Sequence, residues 1–301
     1  MSKLILSAFA PSTIAKYKPA VIDFINYCDH FNLTPSSPDS FDDALLSYID
    51  FLYETGKSRS RAEAALYGLV MYLPRLKGNL SASSLAIRGW MRLQPSKPFP
   101  PLTWNLTCLI SLRLLLSNLR LCAIATLVGF HCLLRVNELV HLKVEDVADS
   151  GDHRVGALSH HMFLRLQRTK TGPNQWVSVT DTQIVSLLRS VASATSPGQF
   201  LFPFSAASFR AQFKNACGLL SLSSYVPHSL RHGGATLLAL QNVPMEDILA
   251  RGRWASSKSA RRYIQSGRAL LLSMDTPAHI TSLSVAVSTH IFSFFSLRSF
   301  T

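Results

Sequence analysis

The segment PHSLRHGG, Pro227 to Gly234, places His228, Arg231 and His232 at positions i, i+3 and i+4. On an α-helix such residues share one face, so the three side chains would converge on one target. A metal ion and a phosphate are the two candidates. The histidine pair has the spacing of a zinc-binding helix, but the motif reads H-S-L-R-H and lacks the glutamate of H-E-x-x-H. An arginine beside the pair would repel a cation, and no third ligand follows at an obvious spacing. Arginine instead offers a planar fork of donors matched to phosphate oxygens, so phosphate fits better and no metal is expected.

Further residues extend this set. Arg135 lies inside the apolar stretch GFHCLLRVNELVHL, where an unpaired charge is expensive and Glu138 or Asp146 would serve as partner. Lys170 stands next to a hairpin turn that could reach over a ligand. In ARGRWASSKSARRYIQSGR, Trp254 precedes Tyr263 by nine residues, among Arg251, Arg253, Lys258, Arg261 and Arg262. Singly, each has an ordinary structural role: Tyr263 at the surface or in a core, Trp254 as a core anchor, His228 as a hydrogen-bonded residue. His232 would buttress the phosphate site or satisfy the core.

The elements that must position these residues are mostly helical. Residues 12–30 carry Ile14, Tyr17, Val21, Phe24, Ile25 and Cys28 at helical spacing, with Ser12 as N-cap. A second helix begins with a Ser40–Asp43 capping box and stops at Gly56; a third has a Ser60–Glu63 box and ends at Pro74. A fourth spans Ser83 to Leu93. Residues 94–103, QPSKPFPPLT, contain four prolines and read as a stiff, extended linker. Beyond it, 105–142 predicts two buried helices. Alternation in MFLRLQRTK and QWVSV predicts a β-hairpin turning at Thr171 to Asn174. Helices follow at Thr182–Ala192, Ser205–Leu220, Ser229–Leu240, Met245–Arg251 and Ser257–Gln265. The fold class is therefore mainly α with a small antiparallel β-sheet (α+β).

The chain has 301 residues, enough for two domains. It carries 30 basic and 17 acidic residues, a net charge of +13 and a pI near 9.9. That balance favours a polyanionic partner, nucleic acid ahead of a membrane surface, although a merely basic enzyme would look the same. Lys57, Arg59 and Arg61 cluster at a helix N-terminus and either touch DNA or form a solvated face. Five scattered cysteines without CxxC spacing argue against a disulfide framework or a zinc site. MSKLILSAFA imitates a signal peptide but is too short, and no stretch reaches the roughly 18 clean apolar residues of a membrane span. A soluble, intracellular protein is expected.

In this order the motifs resemble those of the tyrosine recombinases, a family that includes phage integrases and the Xer and Cre types. LLRVNEL looks like the first arginine box, with Arg135 and Glu138; RTKT is similar to the hairpin lysine segment, with Lys170. HSLRHGGAT looks like the second box, with His228 and Arg231; GRW supplies Trp254 and RRYI supplies Tyr263. The likeness covers about residues 105–275, and GRWASSKSARRYIQS comes nearest to recombinases of eukaryotic mobile elements. Residues 1–93 are similar in size and helicity to the family's core-binding domain but match no motif.

The resemblance implies an enzyme with residues 1–93 as core-binding domain, 94–103 as linker and 104–275 as catalytic domain, closing as a clamp on double-stranded DNA. It leaves 276–301 as an extension of unspecified structure, with 266–274 as the C-terminal helix that docks into a neighbouring protomer. Arg135, Arg231 and Trp254 would bind nonbridging oxygens, Lys170 would protonate the 5′-oxygen, and Tyr263, assisted by His228, would be the nucleophile. Arg251, Arg253, Lys258 and Arg262 would bind DNA alongside Lys57, Arg59 and Arg61. Lys170 shares its strand with Arg165 and Arg168, so a one-residue slip would change which side chain reaches the site. A 3′-phosphotyrosyl link conserves bond energy, so no cofactor, metal or ATP is implied, and a tetramer would act on two DNA sites. A eukaryotic host would place the protein in the nucleus, any other host in the cytoplasm or nucleoid. Two rivals stand: a type IB topoisomerase that relaxes DNA as a monomer, and a decayed or domesticated protein that only binds DNA.

Overall fold

The computed structural model describes residues 3–95, 99–149, 152, 162–169 and 172–297. The chain divides into two units, Met1–Lys97 and Pro98–Thr301. It is mostly helical, with one small antiparallel sheet.

The first unit comprises α1 (Lys3–Ser7), α2 (Pro11–His30), α3 (Pro38–Glu54), α4 (Arg59–Tyr72) and α5 (Ser81–Leu93). Prolines set two of the starts. Pro11 and Pro38 occupy first helical positions, where the missing N–H has no intrahelical partner to lose. Ala10, not Ser12, is therefore the cap of α2, and the capping box of α3 is Ser37–Ser40, three residues ahead of the expected pair. The Ser60–Glu63 box does not form, because the helix starts at Arg59 with Ser58 at the cap; Glu63 instead accepts from Arg59 Nε at 3.0 Å. Ser83 lies inside α5 and is buried; its Oγ and N–H donate to Asp42 Oδ1 at 2.6 and 2.9 Å. The Asp42 carboxylate, contributed by α3, thus neutralises the N-terminus of α5. Phe24, Leu45, Tyr48, Ile49, Leu69 and Trp90 lie in the core of this unit.

In the second unit, the stretch predicted as two helices forms three: α6 (Trp104–Leu116), α7 (Arg120–His131) and α8 (Val136–Val140). The extra break falls at Leu133, whose φ is 50°. The Leu134 N–H reaches back to Gly129 O at 3.1 Å and the Leu133 N–H to Phe130 O, a Schellman ending with leucine where glycine is usual. Arg135 therefore does not lie within a continuous apolar helix. It caps a new one.

Strands β1 (Val147–Ala148), β2 (Met162–Thr169) and β3 (Gly172–Val179) pair antiparallel in that order. The register Thr169↔Gly172 extends the hairpin further than its alternation suggested, so Gly172, Pro173 and Asn174 belong to β3 rather than to a turn. Met162, Leu164, Leu166, Val177 and Val179 point into the core. Then come α9 (Thr182–Ser193), α10 (Ala206–Leu219), α11 (Pro227–Leu240), α12 (Met245–Gly252), α13 (Ser257–Arg261) and α14 (Ser266–Asp275). Because α13 stops at Arg261, Tyr263 sits in the connection to α14 instead of on a helix.

The segment 276–301, for which the sequence specifies no element, is helical over Ala278–Leu297, here α15. By length and composition α15 is apolar enough to cross a membrane, contrary to the expectation that no stretch is. Ser and Thr conceal this in the sequence. Ser284, Ser288 and Thr289 return their hydroxyls to carbonyls three or four residues back. Ile280, Ser284, Val287, Ile291 and Phe295 form a buried stripe, and α15 packs along α6. Arg120 Nη1 donates to Phe295 O at 2.9 Å.

Two adjacent glycines explain how closely α11 is seated. A Cβ at Gly233 would lie 1.9 Å from Leu102 O, and one at Gly234 would lie 2.3 Å from Phe130 O. Both clashes are with main chain, which cannot turn aside. Gly234→Ala is therefore expected to lower unfolding stability by ~1–3 kcal/mol, read by urea denaturation. An unchanged midpoint would show that α11 has room to shift.

Candidate active site

The α11 helix presents His228, Arg231 and His232 as their spacing predicts. Arg231 is 0% exposed. Its Nη2 donates to Gly252 O at 2.5 Å, and its Nη1 donates to Leu133 O. The guanidinium lies over Trp254 at 4.6 Å and over Tyr263 at 5.3 Å. The Tyr263 ring is 4.6 Å from the His232 ring, 4.8 Å from Trp254 and 5.5 Å from His228. Thr236 Oγ1 donates to Tyr263 O at 3.2 Å, which ties the connection after α13 to α11.

Arg135 joins the group through Glu138, the first acidic residue after the break at Leu133. Glu138 Oε1 accepts from Arg135 Nη1 at 2.5 Å, and Oε2 accepts from the Arg135 N–H at 2.8 Å. Arg253 Nη2 reaches the same Oε2 at 2.8 Å, and Arg231 Nη1 stands 3.9 Å from it. One buried carboxylate thus faces three guanidiniums.

Burial alone would raise the Glu138 pKa, but Arg253 and the Arg135 main-chain and side-chain donors outweigh it, and the net shift is downward. Arg231 is shifted down by burial, then by the Arg135 and Arg253 cations, with Glu138 opposing. His228 is lowered by burial and by Arg231 and Arg135, and His232 falls to about 4 through burial and its neighbour His228. Both shifts favour the neutral ring. The Gln265 amide donates to His232 Nδ1 at 2.9 Å.

Arg231 Nε, Arg253 Nε and Trp254 Nε1 are buried donors with no acceptor among the described residues. Such groups are costly unless an acceptor arrives. A phosphate supplies acceptors. Among the described residues, no group of three or more His, Cys, Asp or Glu comes together as a metal would require.

Several positions predicted for DNA are engaged elsewhere. Arg253 is 7% exposed, and its amino groups donate to Glu138 and main-chain carbonyls, so it is a buried cation rather than one on the surface. Arg251 donates to the carbonyl and ring of His131, at 3.0 and 2.7 Å. Arg61 is paired with Asp23 at 2.6 Å, and Arg59 with Glu63. Lys57, Lys258 and Arg262 are exposed. Lys170 lies outside the described residues. Arg165, on β2, is engaged, donating to Asp146 Oδ1 at 3.0 Å. The carbonyls of Leu133 and Gly252 and the supports Thr236 and Gln265 were not foreseen, since no side-chain motif marks them.

A model of the phage integrase family matches residues 117–269, half of the chain, and the chain belongs to that family. Among solved structures it is similar to a lambda integrase dimer bound to a COC′ core site, at 15% identity over 88% of this chain and 74% of that one, with a TM-score of 0.61. It is also similar to the Tn1549 transposon integrase in complex with transposon right end DNA, at 12% identity over 86% and 93%, TM-score 0.59. A third match is the XerH site-specific recombinase bound to its difH substrate, at 17% over 87% and 78%, TM-score 0.52. No curated protein sequence matches the chain. The motif order and the fold thus agree on tyrosine recombinase architecture.

Two outcomes are expected. Glu138→Gln leaves three guanidiniums without their counter-charge and should cost ~3–5 kcal/mol of stability in denaturant titration; a loss below 1 kcal/mol would mean the cluster is solvated. Acid should also weaken the fold through His232. Its folded pKa of about 4 lies below the unfolded value of 6.5, so its contribution is full above pH 6.5 and is lost as pH falls toward 4. The maximum loss is about 3 kcal/mol. His232→Asn should flatten the stability profile in that window, and an unchanged profile would place the titration elsewhere.

Proposed function

We propose that this chain is a site-specific DNA recombinase that cuts and rejoins duplex DNA through a covalent 3′-phosphotyrosyl intermediate. The observation that carries the proposal is the fully buried Arg231 guanidinium stacked on Tyr263 and Trp254, with unpartnered N–H donors on both Arg231 and Trp254. Phosphodiesters repel nucleophiles, so catalysis needs fixed donors aimed at the charge that develops on the nonbridging oxygens.

In the proposed reaction, the Tyr263 oxygen attacks phosphorus while His228, neutral at the outset, receives the phenolic proton. The bond from phosphorus to the 5′-oxygen breaks, and that oxygen takes a proton, assigned to Lys170. Arg135, Arg231 and the Trp254 indole N–H stabilise the phosphorane-like transition state. Reversal by a 5′-hydroxyl from another strand reseals the backbone and restores tyrosine. Bond number is conserved, so neither ATP nor metal enters the balance.

The first unit is proposed as the second DNA-gripping body, with Lys57 among its exposed cations. Lambda integrase is known as a dimer on a core site and as a tetramer on a Holliday junction. By the same chemistry this chain would act as a tetramer on two sites, wherever the cell keeps its DNA. In a eukaryotic cell that is the nucleus.

A nicked suicide substrate, which loses its 5′-hydroxyl fragment after cleavage, tests the proposal. Wild-type protein should form a denaturation-resistant protein–DNA adduct undiminished in EDTA. Tyr263→Phe should bind the same DNA and form none, and Arg231→Lys should be ~10²–10³-fold slower. An adduct that persists in Tyr263→Phe removes that residue from the mechanism. One that requires zinc replaces the phosphate chemistry with metal chemistry.

A further inference from the structure

Among the described residues, seven other than glycine have positive φ; four are asparagine, which tolerates the left-handed region, and one is the small Ser221. The remaining two, Leu133 and Arg253, carry long side chains. Each occupies the same position in its own helix ending. At the end of α12, the Trp254 N–H bonds to Leu249 O at 3.0 Å and the Arg253 N–H to Ala250 O at 3.1 Å, the Schellman pattern that normally takes glycine after the last turn. A left-handed residue with a Cβ costs roughly 1–2 kcal/mol, so something must hold it there.

The two endings hold each other. Arg253 Nη2 donates to Leu133 O at 3.0 Å as well as to Glu138 Oε2 at 2.8 Å. Its Nη1 bonds to Arg251 O at 2.9 Å. Leu133 O is also an acceptor for Arg231, and the neighbouring Gly252 O takes the other Arg231 amino group. Gly252 itself is required by the residue after Arg253, since a Cβ there would lie 1.8 Å from the Trp254 ring. Arg253 thus touches, or is covalently adjacent to, Leu133, Glu138, Gly252 and Trp254, four of the groups around the Arg231 guanidinium. Through Glu138 it also reaches Arg135.

We propose that Arg253 is a positioning residue for phosphoryl transfer: it holds Glu138 and the Leu133 carbonyl, and through them sets the Arg135 and Arg231 guanidiniums and the Trp254 indole in their catalytic geometry. The proposal rests on the recombinase function above. It replaces the DNA-contact role that sequence suggests for Arg253, and it accounts for a strained cation in place of the usual glycine.

Arg253→Gly is the informative variant, because glycine relaxes the left-handed position while deleting the guanidinium, and Arg253→Lys keeps the charge on a different head group. Affinity for the nicked substrate and the single-turnover rate of adduct formation are measured separately, along with unfolding midpoints. Arg253→Gly should stay folded and bind DNA with little change in affinity, yet form the adduct about 100-fold more slowly, as expected when reacting groups are slightly misplaced. Arg253→Lys should recover part of that rate. A folded Arg253→Gly protein that reacts at the wild-type rate overturns the proposal, as does a loss confined to DNA affinity. If Arg253→Gly fails to fold, the Arg253→Lys rate decides: wild-type speed overturns the role, slowing at intact affinity supports it. A stability cycle with Glu138→Gln needs no catalysis. Should wild-type protein form no adduct, the recombinase function fails while the cycle still judges the geometry: a double variant less destabilised than the sum of the singles supports the coupling, and additivity overturns it.

Discussion

The Glu138 carboxylate governs the second unit's chemistry. Arg135, Arg231 and Arg253 gather around it, and one negative charge cannot balance three positive ones. Two charges are left over in a place where Arg231 has no access to solvent. Breaking a buried ion pair by removing its anion is far costlier than never building it, so the cluster stands or falls with this side chain. In the proposed reaction that surplus has a use: a site that receives a phosphodiester and stabilises it as negative charge grows needs cations fixed before the substrate arrives, at the cost of mutual repulsion in the free protein.

Part of that repulsion is relieved by main chain. The carbonyls of His131, Cys132 and Leu133, where α7 ends, accept from Arg251, Arg253 and Arg231. These are the groups a helix leaves unsatisfied at its C-terminus, and the helix dipole puts its negative end there. The tight seating of Gly234 against Phe130 O brings α11 close enough for Arg231 to reach the last of them. Positive side chains from α11 and from the end of α12 thus converge on one helix terminus, which neither charge count nor motif alone would suggest.

What the sequence made legible was whatever depends on short spacing. His228, Arg231 and His232 share a face because helix geometry requires it, and the distance from Trp254 to Tyr263 spans one short helix and its flanks. The apolar alternation of β2 and β3 marked the sheet, although the register ran closer to the turn than turn-forming residues implied. What remained hidden depends on partners remote in sequence or on backbone states that side chains do not announce. Arg253 and Glu138 are separated by 115 positions, so a buried pair looked like one more surface cation. The break at Leu133 lacks glycine and proline, which made two helices read as one. In α15, hydroxyls that bond their own helix passed for polar surface.

Gly252, Arg253 and Trp254 form a single physical object. The indole lies where any side chain at 252 would be, the arginine occupies a backbone state that only its buried bonds sustain, and the indole in turn stacks on Arg231. A change at one position removes the reason for the residue at the next. Drift through this segment is consequently blocked one step at a time: a bulkier 252 expels the ring, and a smaller 254 strips the cover from the guanidinium. Among descendants of this chain, the three letters should be inherited or lost as a block, and an alignment would show them varying together rather than independently.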